Sequence, residues 1–112
     1  MIRAFLLVGS LIPLLVLASG CVSGPPTELI IRDDHLGLAE WYQQEAFRLR
    51  SKADEMRSMR QQYDNPLFQP SPKETRDELI AHCDLFIKYY TQAAGEADAL
   101  ATIHRQEDKA IP

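Results

Sequence analysis

Two cysteines, five glycines and a single tryptophan in 112 residues leave little material for elaborate chemistry. Cys21 and Cys83 alone make no disulfide framework. No C-x-x-C-H run offers a covalent haem attachment, and no glycine-rich loop is present to cradle a phosphate. Twelve Lys and Arg stand against sixteen Asp and Glu, with no long block of either sign. Nucleic acid is therefore excluded as a partner, because that binding rests on neutralising phosphates with cationic side chains. Long apolar runs are also missing. The one candidate, Ala4–Leu17, is too short for a comfortable membrane span and carries Pro13 inside it. Ser10 and Ser19 lie in the leading segment, and Ser58 has no convincing histidine–acid pair, so no catalytic residues are assigned. Acid pairs such as Asp54-Glu55 and Asp77-Glu78 read as solvated helix faces.

What is present begins with the first twenty-one residues. Met1-Ile2-Arg3 supplies a positive start, the apolar run follows, and Ala18-Ser19-Gly20 puts small residues before Cys21. This is the arrangement of a secretory signal. Small residues leading directly into a cysteine resemble the lipobox of bacterial lipoproteins. That resemblance implies removal of residues 1–20, a diacylglycerol on the Cys21 thiol and an acylated amine, including palmitate, with no other cofactor. It also implies, through Val22 rather than Asp after the cysteine, an outer-membrane address facing the periplasm. An ordinary signal with an incidental cysteine, or an inner-membrane anchor, remains the alternative. The expected product has 92 residues, 11 basic against 16 acidic, enough for one small domain.

Residues 21–32 read as a lipidated flexible tether, with Pro25-Pro26 favouring an extended path. Leu29-Ile30-Ile31 is placed to pack over a helix end. The segment 33–112 then predicts an all-α, antiparallel two-helix hairpin. Asp33 or Asp34 suits an N-cap, and Asp64-Asn65-Pro66 ends the first helix, giving about 34–63. Ser71-Pro72-Lys73-Glu74 has the form of a capping box, giving a second helix of about 72–106 with a frayed tail.

Seven-residue spacing supplies the packing. On the first helix His35, Tyr42, Leu49, Met56 and Tyr63 form one column, with Ala39, Ala46 and Ala53 beside it. On the second, Cys83, Tyr90, Ala97 and His104 lie next to Leu79, Phe86, Ala93 and Leu100. Paired columns of this kind make a helix–helix seam. A short connection makes the pair antiparallel. A loop-centred register sets Ala39 against Leu100, Tyr42 against Ala97, Ala46 against Ala93, Leu49 against Tyr90, Ala53 against Phe86, Met56 against Cys83, and His35 against His104. A third column, Ile80, Ile87, Ala94 and Ala101, is surplus to that seam and predicts self-association into a four-helix bundle, or a partner protein. Trp41 and Phe47 also lie off the seam.

The functional expectation is a non-enzymatic, membrane-anchored protein of the cell envelope acting through helix–helix contacts. The competing class is a metal- or haem-binding bundle. Its candidate residues are His35 and His104 near Asp33, Asp34 and Asp108, or His82 near Met56 or Met59. Because no single-helix ligand pair is present, no metal site is assigned.

Overall fold

The computed structural model describes residues 24–111. Cys21 and the segment before it, with the expectations of cleavage and lipid attachment, lie outside the described residues. Three helices follow in order: α1 Thr27–Ile31, α2 His35–Asp64 and α3 Arg76–Ala110. No strand is present among the described residues. The two long helices pack against each other along an antiparallel hairpin, as the spacing predicts.

Part of the expected tether is helical. The chain leaves Pro26 as an N-cap, and Thr27–Ile31 makes a short turn of helix. The turn closes when Arg32 N–H donates to the Glu28 carbonyl and Asp34 N–H to that of Leu29. Asp33 then takes a positive φ of 53°, the left-handed conformation that Asp tolerates better than most residues. Asp34 caps α2, its carboxylate accepting from Gly37 N–H at 2.8 Å. Leu29 reaches back over this first turn, as expected of an apolar residue before a cap. A Cβ on Gly37 would stand 2.9 Å from its methyl carbon and 2.7 Å from the capping carboxylate, so only glycine fits there without displacement.

The second long helix starts later than Ser71-Pro72 suggests. Thr75 is its N-cap, with a complete capping box: Thr75 Oγ1 accepts from Glu78 N–H, and the Glu78 carboxylate accepts from Thr75 N–H. Ser71 instead accepts from Lys73 N–H within a turn. At the far end the helix runs on to Ala110, through the stretch expected to fray, with Lys109 favourably placed in the last turn. The connecting loop is tied down. Tyr63 and Phe68 rings meet at 5.0 Å, and the Arg76 guanidinium donates to the Phe68 carbonyl at 2.8 Å.

The seam face of α2 is as expected. Ala39, Ala46 and Ala53 are fully buried, with Tyr42, Leu49, Met56 and Tyr63 half-buried beside them. On α3 one column is confirmed: Cys83 and Ala97 are buried, Tyr90 and His104 half-buried. The other is corrected. Ala94 and Ala101 are buried and Ile80 and Ile87 half-buried, so the column expected to be surplus forms the seam. Phe86, Ala93 and Leu100 are exposed instead. The helix is thus turned by one residue position, about 100°. The alternation Cys83, Ile87, Tyr90, Ala94, Ala97, Ala101, His104 keeps the four-three spacing of a helix seam.

Two causes favour this rotation. Alanine columns on both helices allow a close approach that bulky Phe86 and Leu100 would prevent. The rotation also brings opposite charges together along one flank: Arg60 donates to Asp84 at 2.7 Å, and Arg50 pairs with Asp98. Arg105 donates to Gln43 on the same flank. His104 stacks on Tyr42 as well as meeting its expected partner His35, so it sits between these two seam positions of α2.

Candidate functional site

Two features stand out on this scaffold: an apolar flank and a histidine pair. The first follows from how α3 is turned, the second from the seam column that the rotation leaves in place.

With the charged flank closed by Arg50, Arg60 and Arg105, the opposite side of α3 presents Phe86, Tyr89, Ala93, Leu100 and Ile103. Phe86 is 47% exposed, Tyr89 56% and Ile103 49%. The Phe86 ring stacks along the helix on Tyr90, centroids 6.0 Å apart, which fixes that one side chain. Glu96 sits on the same outer face. Across the seam, Arg48 is held by Glu45 in a two-point bond. That bond pushes the Glu45 carboxyl below its ordinary range. The Phe47 side chain stands out on α2. Exposed large apolar side chains thus stand in two groups on this flank of α3, Phe86 with Tyr89 and Leu100 with Ile103, separated by Ala93 and Glu96, and such exposure marks a candidate contact site.

The histidine pair closes the open end of the hairpin. His35 is the first residue of α2 and His104 lies in the last two turns of α3. Their Nδ1 atoms are 3.1 Å apart, and the rings tilt by 31° with centroids at 5.4 Å. The expected pairing of these two residues is thereby realised. His35 Nε2 lies 3.3 Å from the Asp33 carboxylate, delivered there by that residue's left-handed backbone. The Tyr42 ring stacks on His104 at 5.7 Å, nearly parallel at 6°. Trp41 meets Tyr42 edge-on at 5.0 Å.

The remaining candidates do not gather. Among the described residues no three His, Cys, Asp or Glu side chains converge as a metal cage. His82 and Met59 are both exposed, whereas Met56 is half-buried in the seam, and no contact between His82 and either methionine is assigned. Cys83 is a buried free thiol, and burial, with a smaller contribution from Asp84, pushes its pKa up, so it stays a thiol and packs as a small apolar residue. No helix among the described residues is long and apolar enough to cross a membrane.

Sequence reasoning misplaced Phe86, Ala93 and Leu100 inside the seam. The charges held the missing signal. Asp84, Asp98 and Arg105 recur at seven-residue spacing on α3, and Arg50 and Gln43 do so on α2. Only one rotation of α3 joins those flanks. No protein-family model, no curated protein and no solved structure matches this chain.

Proposed function

We propose that the chain is a lipid-anchored protein of the bacterial envelope, held through Cys21 at the outer membrane and facing the periplasm. It works without catalysis, by helix–helix contact, as a structural or accessory subunit of a larger assembly or of its own dimer. The observation that carries the contact half of this reading is the exposure of Phe86, Tyr89, Leu100 and Ile103 on one flank of α3. A two-helix hairpin whose core is mostly alanine buries little apolar area, and covering that flank adds what the hairpin lacks. The anchorage half is supported by the sequence Ala18-Ser19-Gly20-Cys21 alone.

The test joins both halves. Metabolic palmitate labelling should mark the wild-type chain and not Cys21→Ser, and mass spectrometry should find an acylated Cys21 as the first residue. Sedimentation equilibrium of the full chain in mild detergent should show association that Phe86→Glu with Leu100→Glu removes while helicity is kept. Cleavage at another bond would overturn the anchor. A monomer indifferent to the two glutamates, together with no crosslinked partner in native membranes, would overturn the contact reading. Ile80 and Ile87, the residues first expected to carry association, belong to the seam, and changing them tests folding instead.

A further inference from the structure

We infer that the partner of the apolar flank is a second copy of this chain, docked antiparallel along α3 about a two-fold axis that crosses the helix between Ala94 and Gly95. The inference rests on the contact half of the proposed function and deepens it, giving the occupant, its direction and its register.

The carrier is a second seven-residue pattern on α3. Phe86, Tyr89, Ala93, Glu96, Leu100 and Ile103 follow one another in alternating steps of three and four residues. That is the spacing of a coiled-coil seam. The seam toward α2, at Cys83, Tyr90, Ala94 and Ala101, has the same spacing but is centred about 100° away around the helix. All six residues of the outer stripe are exposed. One stripe is thus covered by α2, and the other is left complete and open.

Any stripe of this spacing maps onto itself when reversed, so the residues decide whether a copy fits. About the axis between Ala94 and Gly95, Phe86 faces Ile103 of the second copy, and Tyr89 faces its Leu100. The two apolar groups of one chain therefore meet the two of the other. At the centre Ala93 faces Glu96, a small residue against a long one, which leaves the carboxylate room to turn out to water. Further out, His82 comes opposite Glu107, a ring N–H against a carboxylate, and Leu79 opposite Ala110. Sliding the copy by one heptad would set the Glu96 charge against Phe86 in one direction and against Leu100 in the other, burying it without a partner. Parallel docking would set Glu96 on Glu96 and Glu107 on Glu107, which like charge disfavours. The antiparallel contact is isologous and closes after two chains, so it makes a dimer rather than a fibre. The two Glu96 carboxylates still approach each other across the axis, which limits the strength of the dimer. The pair carries its two open ends, and with them the proposed anchor points, at opposite ends, so it lies along a membrane surface rather than upright on it.

Two measurements on the full chain in mild detergent test this. In sedimentation equilibrium the wild type should dimerise reversibly, and Glu96→Leu, which completes the stripe, should lower the dimer Kd by at least about tenfold. Mild oxidation then reads direction and register. The double variant Phe86→Cys with Ile103→Cys should give a disulfide-linked dimer on a non-reducing gel, whereas each single variant should not. The wild type carried through the same oxidation controls for Cys21 and Cys83, and circular dichroism checks that each variant keeps its helix. Linkage in the single variants, or a Glu96→Leu chain that associates no more tightly than its parent, would overturn the antiparallel dimer while leaving the contact reading in place. A wild-type chain that stays monomeric yet crosslinks to a different protein in native membranes would overturn the second copy as partner and keep the flank as a contact site.

Discussion

Ala93 and Ala94 are neighbours in sequence, yet the structure assigns them opposite fates. Ala94 is completely buried in the seam and Ala93 is exposed. Placing glutamine at each position tests the rotation of α3 directly, because glutamine has nearly the helix propensity of alanine. At position 94 the longer side chain enters a sealed space, and overpacking costs about 1–3 kcal/mol. Its amide also leaves water without a partner, for about another 1–3 kcal/mol. The total, about 2–6 kcal/mol, rivals the whole stability of a small hairpin. At position 93 the amide stays in water and the change should fall within about 0.5 kcal/mol. Urea titration followed by helical circular dichroism reads the difference. With a slope of about 1 kcal/mol per molar urea, Ala94→Gln should lower the midpoint by about 2 M or leave no folded baseline. Ala93→Gln should overlay the parent. Equal losses, or a greater loss at 93, would refute the rotation and return Phe86 and Leu100 to the seam.

Gly95 lies inside α3, and nothing stands within 4 Å of a Cβ built there, so Gly95→Ala should stabilise the chain by about 0.5–1 kcal/mol, seen as a rise of several degrees in Tm. Thr75→Ala removes the hydroxyl half of the α3 capping box and should cost about 1 kcal/mol in the same melt. The carboxyl of Glu45 is lowered chiefly by its bond from Arg48, and that of Glu78 by the Thr75 backbone N–H and then its hydroxyl. Because both lie below the ordinary value of 4.5 when folded, their support is full above that pH and is lost as acid carries the solution below it. Melts across that range should therefore show an acid limb that Glu45→Gln with Glu78→Gln makes shallower. An unchanged limb in the double variant would mean that other carboxylates govern acid unfolding.

The helical hairpin was legible because α2 offers a single apolar stripe, Ala39 through Tyr63, with one way to face a partner. The meeting of His35 and His104 followed from the same stripe and the short loop. The rotation of α3 was not legible from hydrophobicity, since Cys83, Tyr90 and Ala97 have apolar columns on both sides. Either column completes a four-three pattern, and periodicity does not choose between patterns that differ by one residue. Size and charge choose: alanines permit close approach, and Asp84 and Asp98 must reach Arg60 and Arg50. The start of α3 was obscured for a similar reason. Ser71 to Glu74 and Thr75 to Glu78 both read as capping boxes, and the first is taken up by a loop turn.

The antiparallel course of α2 and α3 sets how the molecule answers mechanical force. Both helices enter and leave at one end, while Leu67, 87% exposed, marks a tip about 45 Å away along thirty residues of helix. Tension drawn between the two arms at the open end does not shear the seam as a whole. It peels the arms apart layer by layer, first His35 from His104, then Gln43 from Arg105, then Arg50 from Asp98. Each step loads only one small contact, so the hairpin unzips under low force and recloses in the reverse order. Tension applied at the tip runs along the helix axes instead and leaves the layers together. The same hairpin is therefore compliant when pulled from its ends and stiff when pulled from its tip.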